Sequence, residues 1–597
     1  MDWGIFLGIS AAVLAAAVFG SVCLALRKRA AGRILTPFNT LLAGVRAAVY
    51  IALLPPVRES LRDAAPGMLR LLLLTLHQTM QVFTIDADAG AVLEHVRCAE
   101  ETTARIYSAY LSVLFVLAPA LTFGFLLSIL RNVNAHRKYL THYFAEVYAF
   151  SGPNAKSVTL AADLKKNHPG AQIVFAGCGV DGSEWQEQAK ELGAVCFSGD
   201  LLSAGLARHA AKAPMTFFAV SEDEPENISL ALRVLEAFRN RDNTSLYVLA
   251  GGTEGDLVLS GAEKGKVRVR RVDEERSLIY HDLYNRGEEL FAHARAREGE
   301  TLRQVSVMIL GLGRHGSEML RALSWYGQMD GYRLTVDAFD LDPAAEDRFR
   351  ARCPELLDPA FNGAENPDDA RYTIRIHSGV DVTTQSFLDE AGKLRETTWA
   401  LVALGSDESN LRAAAMLRQH FERMQQKPVI QAILYSTERK NALAQVKNFR
   451  GESYDIEWIG DLKTSWSEEV MMNSRLEREA LQGHLAWGDE DSFWNYEYNY
   501  RSSMAAAIHR KAREACGIPG ADKPEEKLTP EEREGIGSLE HCRWNAYMRS
   551  EGYIFSGSTD KKTRNDLGKM HHDLVGWSRL TDEQERSKDS RVGSKKA

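Results

Sequence analysis

Val305-Ser-Val-Met-Ile-Leu310 runs directly into Gly311-Leu-Gly313-Arg-His-Gly316, and Ser317 to Tyr326 follows with helical spacing. A short apolar run stopped by glycine reads as a buried strand, so the glycine turn lies between a strand and a helix. In that context each glycine has its own task. The first permits the tight turn, the second lets backbone approach a pyrophosphate, and the third lets the helix pack close to the strand. The N–H groups at the helix start then favour an anion. Gly311, Gly313 and Gly316 are therefore candidate phosphate-binding residues, with Arg314 as a further phosphate contact. A second strand, Arg333 to Phe339, ends at Asp340, 24 residues past Gly316, near the spacing of a carboxylate that accepts ribose hydroxyls. Asp342 is the alternative.

Further strand runs at Tyr372 to Ile376, Trp399 to Leu404 and Val429 to Leu434 complete an alternating β/α pattern, a Rossmann unit over residues 303–470. An earlier unit over 144–295 repeats the plan. Its strands are expected at Glu146 to Phe150, Gln172 to Ala176, Ala194 to Phe197, Thr216 to Val220 and Ser245 to Ala250. Ser221-Glu-Asp-Glu-Pro-Glu-Asn227-Ile mirrors Ser406-Asp407-Glu408-Ser-Asn410-Leu after the fourth strand of each. In the first unit, however, Asn154 and Ser157 replace the second and third glycines, and no acid closes its second strand. It reads as a structural partner, with Asn154 and Lys156 as its available phosphate contacts.

The N-terminal 135 residues differ in character. Ile5 to Leu26 holds 22 residues without a charge, and Arg27, Lys28, Arg29 and Arg33 follow. Ile106 to Leu130 is a second uncharged run of 25 residues, closed by Arg131, His136, Arg137 and Lys138. Both are long enough to span a bilayer, and both basic clusters belong on the cytoplasmic side. An even number of crossings must separate them. We expect helices over 5–26, 38–57 and 106–130, a re-entrant segment over 67–88, the N-terminus outside and residues 132–597 inside. Helix, half-helix, helix resembles the pore module of tetrameric potassium channels, the local match being Leu76 to Asp88. The resemblance makes Thr84, Asp86 and Asp88 candidate pore residues. The filter glycines of that family, which aim backbone carbonyls at a dehydrated ion, are missing here.

Beyond the second Rossmann unit, residues 493–592 carry Ser538-Leu-Glu540-His541-Cys-Arg543-Trp544, then Glu551-Gly552-Tyr553, then Lys569-Met-His571-His572-Asp-Leu574-Val575-Gly-Trp577. These pieces resemble, in order, the small helical RyR domain named for ryanodine receptors. There Trp544 or Trp577 would stack on a base and Arg543 or Lys569 would pair a phosphate. The tandem Rossmann units resemble the RCK (TrkA-N) domains that regulate potassium channels and transporters, over residues 144–470. That likeness implies a gating ring, eight units from a homotetramer.

The expected architecture is thus a membrane α-helical block followed by α/β: two tandem Rossmann units and a small, mainly helical C-terminal domain. The net charge of −8 and the lack of a basic stripe exclude nucleic acid as a partner. Seven scattered cysteines without metal spacing fit a reducing cytosol. No nucleophile elbow, zinc motif or Walker loop points to an enzyme. The resemblances imply a ligand-gated channel or pore-forming effector in a bacterial inner membrane, answering a nucleotide (NAD, ATP or a signalling nucleotide) and acting in anti-phage defence. A non-conducting, membrane-anchored nucleotide sensor and a membrane-tethered NAD-dependent enzyme are the alternatives.

Overall fold

In a computed structural model the described residues are 2–28, 35–64, 67–98, 100–140, 143–179, 183–206, 209–252, 255, 258–259, 262–296, 299–358, 371–394 and 396–595. Arg29 and Arg33 of the first basic cluster lie outside them. The chain divides into two compact units, residues 1–154 with 170–243, and residues 155–169 with 244–597.

The first unit begins with α1 (Trp3–Lys28), α2 (Leu35–Ser60), α3 (Met68–Thr84), α4 (Ala89–Glu94) and α5 (Glu101–Leu140), with α3 packed against α2 and α5 along one face and exposed along the other. Windows in three of these helices are long and apolar enough to cross a membrane: Trp3–Cys23, Thr40–Ser60 and Glu101–Phe123. They match the three expected spans within a few residues at most of the ends. Polar side chains between them are satisfied by backbone, as the lack of water in hydrocarbon requires. Ser10 donates to the Ala48 carbonyl at 2.7 Å, and the Tyr107 hydroxyl to that of Ala52 at 2.8 Å.

At 17 residues α3 is only about 25 Å long, short of a bilayer core. It stops at Ile85, which adopts a left-handed conformation (φ 66°) and places its N–H on the Gln81 carbonyl. Asp88 then caps α4 by accepting the Ala91 N–H at 3.0 Å, and Thr84 donates back to Gln81 at 3.2 Å. Two of the three pore candidates thus have local helix-end partners.

The other end of α5 matters more. Its 40 residues span about 60 Å, twice the hydrocarbon thickness. Ala135 and Tyr139 are buried at the far end, where Tyr139 packs on Phe197 and His209 and its carbonyl accepts from Gln172 Nε2 at 3.3 Å. The helix therefore runs without a break from its apolar segment onto the first sheet.

That sheet has six parallel strands in the order β3-β2-β1-β4-β5-β6: β1 (Val147–Phe150), β2 (Gln172–Phe175), β3 (Val195–Cys196), β4 (Met215–Ala219), β5 (Thr244–Leu249) and β6 (Arg268–Val272). The second repeats it as β12-β11-β10-β7-β8-β9: β7 (Arg303–Leu310), β8 (Tyr332–Asp340), β9 (Tyr372–Ser378), β10 (Trp399–Val402), β11 (Val429–Ile433) and β12 (Ile456–Ile459). Both are the Rossmann order, in which connections leave the first strand one way and the fourth the other, opening a crevice between them. The sequence reading found five strands in each and missed both final edge strands, β6 and β12. β6 carries three arginines in five residues, a composition that lacks the apolar run of a buried strand. Edge position tolerates those charges, and Arg271 is held by Glu497 at 2.9 Å.

The repeat also has a structural basis that the sequence alignment placed imperfectly. Buried Asn227 accepts from the Ser221 N–H at 2.8 Å and donates to its carbonyl at 2.9 Å. Buried Asn410 accepts from the Leu404 N–H at 2.6 Å and donates to the Ile433 carbonyl at 2.8 Å. Each asparagine ties the exit of a fourth strand to the helix that follows, so Ser221 corresponds to Leu404 rather than Ser406.

The C-terminal residues form the helices Glu497–Ala515, Pro530–Ser550 and Glu583–Gly593 around a two-stranded parallel ladder, β13 (Ile554–Phe555) with β14 (Met570–His571). Thr529 and Glu532 form a reciprocal capping box at the start of the central helix.

Candidate nucleotide site

The crevice of the second sheet opens into a cavity of about 910 Å³. It lies past the carboxyl ends of β7, β8 and β10, where the strand order reverses. Gly311, Gly313, Arg314 and Asp340 all line it, as expected. Gly316 and Asp342 do not.

The three glycines turn out to be constrained differently. Gly311 has φ +90°, and a Cβ there would sit 2.5 Å from the Ala403 carbonyl oxygen. A Cβ on Gly316 would lie 1.8 Å from the Gly311 oxygen, so it permits close helix–strand packing. At Gly313 a Cβ would meet nothing within 4 Å. Two glycines are thus required by the protein's own packing, and the middle one faces open space. Gly313 also begins the helix Arg314–Tyr326 without any side-chain cap. The first N–H groups of that helix are left for an external acceptor.

Asp340 has a second role. Its Oδ2 accepts the Leu312 N–H at 2.6 Å and its Oδ1 accepts the Asp342 N–H at 2.8 Å. One carboxylate therefore pins the glycine turn while its remaining lone pairs face the cavity. Asp342, the alternative ribose anchor, is spent on the Ala344 N–H (3.0 Å) and Arg348 (2.6 Å). Arg314 is an exposed side chain 3.4 Å from Glu275.

Several lining residues escaped the sequence reading. Beyond Asp340 the wall is apolar, made by Leu341, Val380 and Val382, with the exposed Asp381 between the valines. Across the cavity stand Tyr435 and Trp466, with His315 5.9 Å from the Tyr435 ring. Burial lowers the His315 pKa below its ordinary value. Lys156, read as a contact of the first Rossmann turn, belongs here instead. It pairs with Glu274 at 2.6 Å and lies 5.4 Å over the Trp466 ring. Asn154, its expected companion, donates to the Val220 carbonyl at 2.8 Å. None of this was visible locally, because Lys156, Glu274 and Trp466 are separated by more than a hundred residues at each step.

The C-terminal candidates also separate. Arg543 and Trp544 line a second cavity of about 700 Å³. Lys569 and Trp577 are not among its lining residues. Lys569 donates to the Glu551 carbonyl at 2.8 Å, and Trp577 packs against the helix at Gly537 with Arg586 4.7 Å over its ring. No protein-family model and no curated protein matches the chain.

Proposed function

We propose that this chain is a ligand-gated membrane channel or pore-forming effector of a bacterial inner membrane, acting in anti-phage defence. Its N-terminus faces outward and residues 132–597 lie in the cytoplasm. It assembles as a homotetramer through RCK-like Rossmann units and carries an RyR-like C-terminal domain. The signal is a nucleotide bound in the cavity of the second Rossmann-like sheet. Gly313 carries this reading: a glycine that no packing requires, at an uncapped helix start, keeps space for a phosphate. Asp340 then takes the ribose, and the base lies on Leu341, Val380 and Val382.

Gly313→Val fills that space without touching the core. Loss of two charge-assisted hydrogen bonds, about 1.5–3 kcal/mol each, should weaken binding by roughly 100-fold or more. Titration calorimetry of the purified full chain with ATP and with NAD measures it, and ligand-dependent conductance in reconstituted bilayers tests gating. Equal affinities of Gly313→Val and wild type would leave the glycine turn a purely structural element. Asp340→Ala should cost about tenfold.

The absent filter glycines and the capping role of Asp88 support a second reading, an anchored sensor that conducts nothing. Topology bears on both. A cysteine at Ala89, in a background lacking Cys98, should react with an impermeant thiol reagent from outside intact cells. Reaction only after lysis would remove the re-entrant arrangement of residues 67–88, and the pore with it.

A further inference from the structure

The second cavity shares no lining residue with the first. Its walls are aromatic: Tyr498, Trp544 and Tyr553 contribute rings, with Trp544 meeting His571 edge-on at 5.0 Å and Tyr498 lying 6.2 Å from Tyr553. Its exposed cations are already matched. Arg564 pairs with Asp566 at 2.9 Å, Lys561 with Asp582 at 2.8 Å and Lys588 with Glu585 at 3.4 Å. A highly charged ligand would have to break these pairs.

The unmatched groups are deeper. Arg543 is 1% exposed and gives its Nε and one terminal nitrogen to Glu540 at 3.1 and 2.8 Å. Its Nη1 is buried with no partner, as is Nδ1 of His572, also a lining residue. A buried guanidinium nitrogen without an acceptor is costly unless a ligand supplies one. Asp573 and Asp589 stand on the same lining; each holds a histidine through one carboxylate oxygen, His572 at 3.2 Å and His541 at 2.9 Å, which leaves the other oxygen to accept N–H groups.

His571, His572 and Asp573 lie close enough together to suggest a metal, but the hydrogen bonding argues otherwise. His571 Nδ1 accepts the Asp573 N–H at 3.1 Å, and burial, helped by Arg564, pushes its pKa down to about 3. The neutral ring then carries its proton on Nε2, which leaves no lone pair for an ion.

We propose that this cavity is a second ligand site, and that it takes a purine base presented as a nucleoside. The ring lies against Trp544, Tyr498 and Tyr553, its acceptor edge faces Arg543 Nη1, and its amino or imino N–H groups face the carboxylates. A purine offers both kinds of group on one rigid plane, and arginine is the side chain that reads its N7/O6 edge in other settings. A nucleotide fits less well, because no unpaired cation waits for its phosphate.

The test uses the purified full chain carrying Gly313→Val and Asp340→Ala, so that the first cavity has lost both its phosphate space and its ribose contact, titrated with adenosine and with guanosine by calorimetry. Binding of either is expected. Trp544→Leu and, separately, Tyr553→Ala should each weaken it about tenfold or more. Arg543→Met should abolish it, with the melting temperature recorded because that residue is buried. Absence of nucleoside binding in that doubly substituted chain overturns the proposal, as does binding that survives both aromatic substitutions. Because the first cavity is silenced, failure here leaves the nucleotide reading of that cavity untouched.

Discussion

Replacing Glu551 with alanine should destabilise the second compact unit by about 3 kcal/mol, the lower end of the range for breaking a buried ion pair. Its side chain keeps 19% exposure, which is why the lower end applies. Glu551 accepts from Arg276 at 2.9 Å and Arg321 at 2.6 Å, with Arg501 3.9 Å away. Glu318 shares Arg276 and Arg321 at 2.7 and 2.8 Å. Alanine leaves Arg276 and Arg321 to share the single carboxylate of Glu318, while Arg501 keeps its pairing with Glu497. Burial alone would raise the Glu551 pKa, but the three arginines outweigh it and hold the carboxyl well below the ordinary glutamate range. A depressed folded-state pKa gives stability that is complete above the unfolded value and is lost as pH falls through the folded one. The penalty of Glu551→Ala should thus be the same at pH 7 and pH 6 and shrink only below about pH 4. Urea midpoints across that range measure it. An unchanged midpoint at pH 7 would show that solvent already screens the cluster.

The position of this cluster gives it a functional side. Arg276 lies on the helix whose first residues, Glu274 and Glu275, line the first cavity, and Arg321 lies on the helix that opens at Gly313. Glu551 precedes Tyr553 by two residues, and Arg501 follows Tyr498 by three, both tyrosines being walls of the second cavity. A ligand in either cavity would thus lie beside elements joined to the same carboxylate. Linkage makes any such coupling reciprocal. Glu551→Gln, which keeps an acceptor but not the charge, should reduce it while costing less stability than alanine.

What the sequence displayed and what it hid follow one physical division. Glycine turns, apolar runs and helix caps are local, so β7, β8, the helix at Gly313 and all three apolar helices could be read within a few residues. Gly311 and Gly316 show why the motif was legible: backbone crowding forbids any other residue there. Edge strands hid because one side of them meets solvent. β6 satisfies its arginines through Glu477 and Glu497, both over 200 residues away. The same holds for the site. Asp340 was legible from its spacing, whereas Lys156 and Trp466 meet over Glu274 only once the chain is folded. Trp577 and Lys569 looked like ligand contacts because aromatic and basic side chains serve both packing and binding; the fold spends them on Gly537 and on the Glu551 carbonyl.

A flexible Gly-Ser stretch of about six residues inserted after Asn134 should leave nucleotide affinity unchanged and abolish ligand-dependent conductance or toxicity. A sensor needs two states that the ligand distinguishes, and a mechanical element that carries the difference to the membrane. In the proposed function that element is α5. It is helical from Glu101 to Leu140, so the segment that leaves the apolar block is the one that reaches the first Rossmann-like sheet. Tyr139 anchors its end between Phe197 and His209, and β1 begins at Val147. A movement of β1 and its neighbours is therefore applied to a rigid rod rather than to a slack tether, with Pro119 inside the rod as a place to bend. Six glycine and serine residues interrupt the hydrogen-bonded ladder between Phe123, where the apolar window ends, and the Tyr139 anchor. The first cavity, lined by residues within 155–169 and 244–597, keeps its lining. Unchanged ligand-dependent activity in the insertion variant would mean that the Rossmann-like sheets do not pull on the apolar helices through α5. The anchored sensor acting through partners would then be the reading to pursue.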